Sequence, residues 1–380
     1  MLRKTVTLPA SKSESNRALM IAAYGGFVPD FRNLSDSNDT KVLQKALRGI
    51  EENASVIDVA DCGAAARFLT TLLACHKGEW VLTGTERMKQ RPIKPLVDAL
   101  KQLGAEIKYE GIDGFLPLHI QGDPIKGGKV AMDMTQSSQF ASSLLLAAPM
   151  WPLGIEMELN GMPSSLPYLE MTHAMMHLFG AEFERVGKTI RVKPKPYHFS
   201  SFSVSPDWTA ASYWYEIAAF SKECEIRLKS LGLSKDRPNL QGDSIISDWM
   251  RQLGVGSFIE GEDVVLRKIP YKKRTLSFDF THYPDLYPTL VATCAGLGME
   301  TEFVGLDNLR HKESDRVDAM QTELAKIGQA PLHFSSHNDH RVVMSLAPLS
   351  MLFGPVSFDY PEAVSKSYPG FWDDASFLRE

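Results

Sequence analysis

The sequence predicts a mixed α/β protein built from repeated units, and three observations support this fold class. One pattern recurs along the chain: a helix-like stretch ends in an apolar residue and a glycine, and a short apolar strand follows. The glycines of four copies, Gly104, Gly180, Gly254 and Gly328, are separated by 76, 74 and 74 residues, and a fixed period indicates a repeat architecture. The β-branched runs are too regular for an all-helical solenoid.

The elements of each copy follow from local signals. Each glycine stands where a helix ends and a positive φ is required. Alternating residues at 182–186 and 189–192 predict a β-hairpin. A strand also precedes the helix of each copy, at Trp80–Thr83, Ile155–Leu159, Glu225–Leu228 and Glu302–Val304. A fainter copy surrounds Gly49, and the alternative explanation of the whole pattern is chance similarity between amphipathic helices.

The composition excludes several classes of protein. The 380 residues are 44% hydrophobic and 23% charged, which is ordinary for a globular chain of two or three domains. Apolar runs are too short for a membrane span, and the first residues lack the apolar core of a signal peptide. The four cysteines form no CxxC pair and the net charge is −5. We therefore expect a cytoplasmic protein with no disulfide scaffold, zinc ribbon or nucleic-acid partner.

Three polar segments stand at predicted helix starts and suit anionic ligands. Lys12, Ser13 and Arg17 begin the first helix, where cations and hydroxyls favour an anion; the alternative is an ordinary N-cap with solvated cations. Three cations at 87–91 precede another helix, and a solvated face is the usual explanation of such a run. Residues 136–139 are either a helix cap or a phosphate cradle.

Two segments in the second half of the chain carry acids among cations. Asp285 lies between prolines, where the backbone is stiff, and Glu313 lies in an ionisable run that follows Asn308. The two acids are either a proton-transfer pair or ordinary surface acids. His173 and His177 have the spacing of two metal ligands on one helical face. No third ligand is evident, so we expect no metal.

Taken together, these segments resemble the 5-enolpyruvylshikimate-3-phosphate synthase family. The matching motifs run in order over nearly the whole chain and are LPASKSESNRALM, RMKQRPIKPLVDALKQLGA, SSQFASSLLLAAP, SLPYLEMTHAMM, PDWTAASYW, YPDLYP, KESDRVDAM, NDHRV and VSKSYPGFW. The resemblance implies transfer of the enolpyruvyl group of phosphoenolpyruvate to the 5-hydroxyl of shikimate 3-phosphate, with release of phosphate. This step belongs to the biosynthesis of chorismate and the aromatic amino acids, and it needs no cofactor or metal.

The resemblance also implies the enolpyruvyl transferase fold. In this fold, two similar domains each contain three βαβαββ units, with helices inside and sheets outside. Residues 1–10 and 207–380 would form one domain and residues 11–206 the other, with the active site in the cleft between the domains. A stretch rich in proline and serine at 194–207 is the candidate crossover. We further expect a monomer with two small-molecule substrates and no membrane partner.

The family's functional residues carry over by motif to this chain. Asp285 fits the base that takes the proton of the 5-hydroxyl, Lys12 fits the acid at the methylene carbon of phosphoenolpyruvate, and Glu313 fits proton transfer nearby. The implied ligands of shikimate 3-phosphate are Lys12, Ser13, Arg17, Ser137, Ser138, Gln139, Ser165, Tyr168, Asp285, Asn308 and Lys312. The implied ligands of phosphoenolpyruvate are Lys12, Gly63, Arg87, Gln139, Arg316, Arg341 and Lys366.

The chain departs from the family's pattern in one segment. The family usually has Asn-Ala-Gly-Thr-Ala-Met-Arg where this chain has Asp61-Cys62-Gly63-Ala64-Ala65-Ala66-Arg67, and Leu166 stands where a lysine is common. We expect the extra carboxylate at Asp61 to weaken phosphoenolpyruvate binding. It should also lower the sensitivity to glyphosate, which the family implies as a competitor for this site.

Two other functions stay open. One is the sister enolpyruvyl transferase that acts on UDP-N-acetylglucosamine, whose family has Lys-Asn at the start and a catalytic cysteine in a mobile loop. Lys12-Ser13 and the segment at 137–139 favour shikimate 3-phosphate instead. The other is a non-catalytic binding relative, and the retained acids and cations argue against it.

Overall fold

The structure is a computed structural model, and it describes residues 1–28, 30–135, 137–161, 164–198, 201–232, 239–329 and 331–379. These residues form two compact units. Unit 1 consists of Met1–Ser11, Ser35–Asn38 and Ser205–Glu380, and unit 2 consists of Lys12–Leu34 and Asp39–Val204. Residues 199 and 200 of the predicted crossover, and Gln136 of the predicted polar segment, lie outside the described residues.

Helices and strands alternate along the chain, as a mixed α/β fold requires. The helices are α1 (Lys12–Gly25), α2 (Asn38–Glu51), α3 (Gly63–Cys75), α4 (Lys94–Gln102), α5 (Ser138–Ala147), α6 (Leu166–Leu178), α7 (Trp208–Phe220), α8 (Ile246–Gln252), α9 (Tyr287–Leu297), α10 (Arg316–Leu324), α11 (His340–Leu346), α12 (Ser350–Phe353) and α13 (Phe371–Asp374). The strands are β1 (Leu2–Val6), β2 (Phe31–Arg32), β3 (Val56–Asp58), β4 (Gly78–Thr83), β5 (Glu106–Tyr109), β6 (Leu118–Gly122), β7 (Gly128–Asp133), β8 (Ile155–Asn160), β9 (Phe183–Val186), β10 (Thr189–Val192), β11 (Phe202–Ser203), β12 (Cys224–Leu228), β13 (Val255–Glu260), β14 (Asp263–Lys268), β15 (Leu276–Asp279), β16 (Thr301–Val304), β17 (Leu332–Phe334) and β18 (Val356–Phe358).

Three four-stranded sheets share one topology. In unit 2, β3 pairs in parallel with β4, and β6 and β5 continue the sheet in antiparallel pairs. The second sheet of unit 2 has the order β7-β8-β10-β9 with the same directions. In unit 1 the order β1-β12-β14-β13 repeats the pattern. The parallel pairs β15-β16 and β17-β18 complete the strands of unit 1.

The strands and glycines predicted from the repeat are confirmed. The four strands that precede the helices are β4, β8, β12 and β16. The predicted hairpin is formed by β9 and β10, which pair antiparallel. Gly104, Gly180 and Gly254 each directly follow the C-cap residue of a helix and have positive φ values of 96°, 92° and 86°. Gly328 also has a positive φ of 92°, but it lies three residues beyond Ala325, the C-cap of α10. A side chain at these positions would strain the backbone, which explains why the period shows in glycine.

Two details of the repeat differ from the sequence interpretation. Gly49 lies inside α2 and does not end it; Asn53, with a φ of 58°, takes the left-handed position after that helix. Asn tolerates this conformation better than most residues. After Gly328, β17 pairs in parallel with β18 and does not form a hairpin. The fourth copy therefore differs both in the position of its glycine after the helix and in its strand partner.

Helices α5 and α7 are enclosed, whereas strands of the sheets have an exposed face. All but one of the residues of α7 and of α5 are buried, whereas the residues of β7 alternate between buried and exposed. A helix that is apolar on all sides belongs in a core, and an alternating strand has one solvated face. This arrangement confirms helices inside and sheets outside. Among the described residues, no helix combines the length and apolar character needed to cross a membrane.

One acid lies inside the core of unit 1 and supplies a first prediction. Glu216 on α7 is fully buried, and burial raises its pKa well above the ordinary value, a shift that Thr293 partly offsets. The pKa of Glu216 is therefore higher in the folded protein than in the unfolded chain. The carboxyl makes folding less favourable as the pH rises above the ordinary pKa of a glutamate. We expect Glu216→Gln to raise the midpoint of thermal unfolding more at about pH 8 than at about pH 5.

The matched control is Glu302→Gln, because Glu302 is an exposed acid on β16 of the same unit. Its unfolding midpoint should change little at either pH. A midpoint of thermal unfolding that is lower in Glu216→Gln than in the parent protein at about pH 8 would contradict the raised pKa of Glu216. A change of equal size at both pH values would contradict it as well.

Candidate active site

Asp285 lies in unit 1 in the short 3-10 turn that leads into α9. Its Oδ1 accepts a hydrogen bond from Nη1 of Arg316 at 2.9 Å, and its Oδ2 accepts one from Nη2 of Arg341 at 2.7 Å. Both arginines are buried. Charge-assisted bonds of this kind are short and strongly oriented. The two guanidinium groups and the neighbouring prolines therefore aim this carboxylate.

Arg316 begins α10 and is the centre of the ionic network in unit 1. Its Nη2 donates to Oε2 of Glu313 at 2.8 Å, and its Nε donates to Oδ2 of Asp339 at 2.8 Å. The side chain is only 1% exposed. Burial alone lowers its pKa, but Asp339, Glu313 and Asp285 together raise it above the ordinary value. The guanidinium therefore stays charged in the interior.

Asp339 anchors this network and is fully buried. It is the N-cap of α11, where its Oδ1 accepts from the backbone amide of Arg341 at 3.0 Å. Its Oδ2 also accepts from Oγ of Ser314 at 3.1 Å. One carboxylate thus fixes both the start of α11 and the orientation of the Arg316 guanidinium.

The remaining predicted residues of unit 1 surround this network. Nζ of Lys312 lies 3.8 Å from Oδ1 of Asp285. Asn308 is half-buried in the 3-10 turn before Lys312. Lys366 is buried in a 3-10 turn that packs against α11, the helix that carries Arg341. The structure directly joins one predicted set: Asp285, Lys312, Glu313, Arg316 and Arg341.

In unit 2, Lys12 is held at the start of α1 by an acid that the sequence analysis did not select. Nζ of Lys12 lies 3.0 Å from Oδ2 of Asp39 in the first turn of α2. The Asp39 side chain is 5% exposed and that of Lys12 is 15% exposed. Next to this pair, Thr40 donates to Oδ1 of Asn16 at 2.9 Å. Two polar contacts thus tie α1 to α2, and the ammonium group keeps some access to solvent.

Arg17 joins the start of α1 to the start of α6. Its Nε donates to Oγ1 of Thr172 at 2.7 Å, and its Nη2 donates to the backbone oxygen of Tyr168 at 3.1 Å. Its Nη1 donates to the backbone oxygen of Ser13 at 3.0 Å. Burial lowers the pKa of Arg17 to about 10, against smaller opposing effects of Tyr168 and Glu14. The group therefore remains a cation at neutral pH.

The predicted serines lie at two more helix starts of unit 2. Ser137 caps α5 by accepting a hydrogen bond from the backbone amide of Gln139 at 3.2 Å. Ser138 is the buried first residue of that helix. Ser165 precedes α6 in the left-handed conformation with a φ of 55°. Free backbone amides and hydroxyls at helix N-termini suit an oxyanion.

Gly63 is the first residue of α3 and lies against two arginines of unit 2. A Cβ atom at Gly63 would lie 2.2 Å from Nη1 of Arg67 and 2.8 Å from Nη1 of Arg91. Both arginines are buried, whereas the sequence-predicted ligand Arg87 is exposed in unit 2. A side chain at this position would displace a guanidinium group.

The segment at 61–67, which departs from the family's usual pattern, forms the start of α3. Cys62 is the N-cap of α3, and its Sγ accepts from the backbone amide of Ala65 at 3.4 Å. The thiol also donates to the backbone oxygen of Asp39 at 3.6 Å. The cysteine at this position therefore links α3 to the acid that holds Lys12.

Sequence reasoning missed four residues of these sites. Asp339 had a signal, because an acid directly before a helical segment is an N-cap signature. For Arg67 and Arg91 the only signal in the sequence was their positive charge, and charge alone does not distinguish a buried cation from a solvated one. No local pattern marked Asp39, because its role depends on the packing of α2 against the start of α1.

The two histidines of α6 offer no metal centre. His173 stacks on Phe183 with ring centroids 3.9 Å apart, and burial is the largest effect that lowers its pKa. Within the described part of the chain, no group of three or more histidine, cysteine, aspartate or glutamate residues is arranged to hold a metal ion. What the side chains do supply is cations for anion binding and carboxylates for proton transfer.

Comparison with known proteins identifies similar chains. The family model described as EPSP synthase (3-phosphoshikimate 1-carboxyvinyltransferase) matches residues 49–375. A 3-phosphoshikimate 1-carboxyvinyltransferase of Bacteroides fragilis is 41% identical over 98% of this chain and 94% of its own. The enzyme of that name from Haemophilus influenzae is 33% identical over 97% of this chain and 95% of its own.

Solved structures show the same fold. An EPSP synthase from Acinetobacter baumannii superposes with a TM-score of 0.73 at 20% identity, covering 100% of this chain and 96% of that one. The enolpyruvyl transferase NikO from Streptomyces tendae superposes with a TM-score of 0.66 at 16% identity, covering 99% of this chain and 95% of that one.

Removal of the Asp339 carboxylate should lower the stability of the protein. We expect Asp339→Ala to lower the free energy of unfolding by about 3–5 kcal/mol, because it leaves the buried Arg316 charge without its innermost partner. Urea unfolding measures this loss. The control is Glu86→Ala, which breaks an exposed pair with Lys89 and should change the free energy by less than about 0.5 kcal/mol. Equal, small losses in both variants would contradict the anchoring role.

Proposed function

The chain belongs to the EPSP synthase family, and we propose on this premise that it is a 3-phosphoshikimate 1-carboxyvinyltransferase. It transfers the enolpyruvyl group of phosphoenolpyruvate to the 5-hydroxyl of shikimate 3-phosphate and releases phosphate. The family assignment confirms the resemblance inferred from the motifs. One observation carries the chemistry: the Asp285 carboxylate accepts hydrogen bonds from two buried arginines. A candidate base and two cations that could bind an anion therefore lie next to each other.

The charge of the substrates explains the many cations. Each substrate carries about −3 near neutral pH, so the two repel each other strongly in a dehydrated site. Lys312, Arg316 and Arg341 lie in unit 1 and Lys12 and Arg17 lie in unit 2, and positive charge of this kind would offset the repulsion between the substrates. The protein is acidic overall, so the attraction comes from local charge and not from the net charge.

Asp285 is proposed as the base for the 5-hydroxyl. Both of its oxygens accept hydrogen bonds from arginines. An anionic ligand that takes bonds from Arg341 and Arg316 leaves the carboxylate available for the hydroxyl proton. Arg316 keeps its orientation during this exchange because Asp339 still holds its Nε.

Lys12 is proposed as the acid for the methylene carbon. The hydroxyl oxygen bonds to the central carbon of phosphoenolpyruvate as the methylene carbon takes a proton. The bond from the central carbon to the phosphate oxygen then breaks, and the methyl carbon returns a proton, so that the enol ether and phosphate are the only products. Lys12 is held by Asp39, and Glu313, beside Arg316, is assigned to proton transfer at the phosphoenolpyruvate end.

The other predicted ligands keep their proposed roles. Ser13, Arg17, Ser137, Ser138, Gln139, Ser165, Tyr168, Asn308 and Lys312 are proposed to bind shikimate 3-phosphate together with Lys12 and Asp285. Gly63, Arg87, Gln139, Arg316, Arg341 and Lys366 are proposed to bind phosphoenolpyruvate together with Lys12. Four helix starts in unit 2 carry residues of this set, which supports the role of oxyanion ligands. A cytoplasmic location and a monomeric state stay predictions.

The alternative acceptor, UDP-N-acetylglucosamine, is less well supported. The sister family needs a catalytic cysteine in a mobile loop, whereas Cys62 is buried as a helix cap. The curated relatives reported above are named for the shikimate substrate. A non-catalytic relative would have no reason to retain Asp285 between two arginines.

A comparison of acceptors tests the function. With phosphoenolpyruvate as donor, we expect phosphate release to depend on shikimate 3-phosphate and to be at least about 100-fold slower with UDP-N-acetylglucosamine, because a site that hydrogen-bonds one acceptor rejects another that leaves its polar groups unpaired. Phosphate release that prefers the sugar nucleotide, or that needs no acceptor, would overturn the proposal.

A variant of the base tests the mechanism. Asp285→Asn keeps the shape of the side chain but cannot take a proton, so kcat should fall by about 10²–10⁴-fold while the dissociation constant of shikimate 3-phosphate changes only a few-fold. Steady-state kinetics and calorimetry measure the two quantities. The exposed control Glu302→Gln should keep the parent kcat, and a near-parent kcat in Asp285→Asn would remove Asp285 from the role.

A further inference from the structure

We propose that His337 is a positioning residue for the reaction, because its contact with Glu323 fixes the turn that presents Arg341. The turn consists of residues 335–339, which join β17 to α11. The inference rests on the proposed function for the role of Arg341 as a ligand of phosphoenolpyruvate. His337 belongs to neither of the ligand sets proposed above.

The turn holds two consecutive residues in the left-handed region of backbone conformation. The φ angles of His337 and Asn338 are 50° and 52°. Residues other than glycine seldom adopt this conformation, although asparagine and histidine adopt it more often than most. Two such residues in a row persist only where the surrounding structure holds them in place. Contacts with other elements are therefore needed to maintain this turn.

Glu323 of α10 supplies the contacts on one side of the turn. Nε2 of His337 lies 2.8 Å from Oε1 of Glu323, and the backbone amide of Ser335 donates to Oε2 at 3.0 Å. The Glu323 side chain is 1% exposed. Burial alone would raise the pKa of Glu323, but the hydrogen bonds from Lys326, His337 and Ser335 lower it below the ordinary value. Glu323 is therefore an anion that accepts, and Nε2 of His337 is the donor.

A second acid holds the first half of the turn. Asp359 follows β18; its Oδ1 accepts from the backbone amide of Ser336 at 2.7 Å, and its Oδ2 accepts from Oγ of Ser335 at 2.9 Å. The hydroxyls of these two serines in turn accept from the backbone amides of His337 and Asn338, at 3.3 and 3.2 Å. Asp359 thus fixes the serines, while the His337 side chain ties the left-handed half of the turn to α10.

The turn is bound at both ends of α10. Glu323 lies seven residues after Arg316 in this helix. Seven residues are about two helical turns, so the two side chains lie on one face, about 10 Å apart along the axis. Glu323 binds His337, and Arg316 binds Asp339, at 2.8 Å in both cases. These two contacts set the position of the turn along the helix.

The position of the turn decides where Arg341 stands. Asp339 accepts from the backbone amide of Arg341 at 3.0 Å, and Nη2 of Arg341 donates to Oδ2 of Asp285 at 2.7 Å. Arg316, on α10, donates to the other oxygen of the same carboxylate. Loss of the His337 contact would therefore change the spacing of the two guanidinium groups that are proposed to bind phosphoenolpyruvate. A small displacement of a group that positions a substrate is costly.

A purely structural role makes a different prediction. If His337 only stabilised the fold, its replacement would lower the midpoint of thermal unfolding and leave the kinetic constants of the folded protein unchanged. A positioning role raises KM for phosphoenolpyruvate in protein that is folded. The division between stability and KM therefore separates the two roles.

Two replacements separate the contact from the backbone preference. His337→Asn keeps a residue that tolerates the left-handed conformation, but its side chain is too short to reach Glu323. His337→Gln is long enough to place an amide NH2 near the position of Nε2 and keep the hydrogen bond. The matched control is His333→Asn, because His333 is an exposed histidine on β17 whose ring contacts Ser357.

Steady-state kinetics of the full chain give the first readout. In His337→Asn we expect KM for phosphoenolpyruvate to rise about tenfold, while the dissociation constant of shikimate 3-phosphate, measured by calorimetry, changes less than about threefold. In His337→Gln and His333→Asn, KM should stay within about threefold of the parent value.

A double-mutant cycle connects the effect to the contact. Glu323→Gln keeps the size of the side chain and removes its charge, so it should weaken the bond to His337 and raise the same KM. With His337→Asn added, the total rise should be smaller than the product of the two separate rises, because both changes act on one contact. Rises that multiply would contradict the role of the pair. If His337→Asn does not fold, a parent KM in Glu323→Gln overturns the proposal.

The remaining outcomes separate this inference from the proposed function. A parent KM in folded His337→Asn overturns the inference, and so does an equal rise in His337→Gln. If the parent protein releases no phosphate in response to shikimate 3-phosphate, the proposed function fails. Amide hydrogen exchange then tests the positioning alone: the amides of Asp339 and Arg341 should exchange faster in His337→Asn than in His337→Gln, and equal rates would overturn it.

Discussion

Arg316 is a cation inside unit 1, and its burial is tolerable only because three carboxylates surround it. This constraint organises the neighbouring elements, because the acids come from the turn before α9, the segment before α10 and the cap of α11. Asp339 is the innermost of the three and makes no approach to solvent. It acts as a fixed support, while the more accessible Asp285 and Glu313 remain able to exchange partners with a ligand. A buried network of this kind contributes specific orientation more than net stability.

Unit 2 meets the same requirement for positive charge in a different way. Several of its proposed ligands stand at helix starts, where backbone amides and the helix dipole also favour anions. Lys12 begins α1, Gly63 begins α3, and Ser137 and Ser165 directly precede α5 and α6. The repeated βαβαββ pattern produces several inward helices in one unit, and each helix start is an opportunity for such a site. The repeat that shapes the fold is therefore also the source of the proposed ligand-binding positions.

The sequence predicted the fold from features that are local. Gly104, Gly180 and Gly254 mark helix ends because glycine adopts their conformation without strain, and the strands before each helix follow from β-branched alternation. The interpretation of Gly49 as a helix end was wrong, because the sequence alone does not distinguish a glycine inside a helix from one that follows a helix end. The contact of Asp39 with Lys12 and that of Asp339 with Arg316 depend on packing between segments distant in the chain, so no short window contained them. The run at 87–91 shows charge but not which cation turns inward, and the structure buries Arg91 and exposes Arg87.

The proposed function requires these acids and cations to perform an enolpyruvyl transfer and not a hydrolysis of phosphoenolpyruvate. Carbon and phosphorus nuclear magnetic resonance of one reaction, with phosphoenolpyruvate labelled at its central carbon and unlabelled shikimate 3-phosphate, tests it most directly. For an enolpyruvyl transfer, we expect a new enol-ether signal from the labelled carbon, which is then bonded to the oxygen at position 5 of the shikimate ring. We also expect an equal amount of inorganic phosphate. A labelled pyruvate signal in its place, or phosphoenolpyruvate that persists while both substrates bind, would contradict the account.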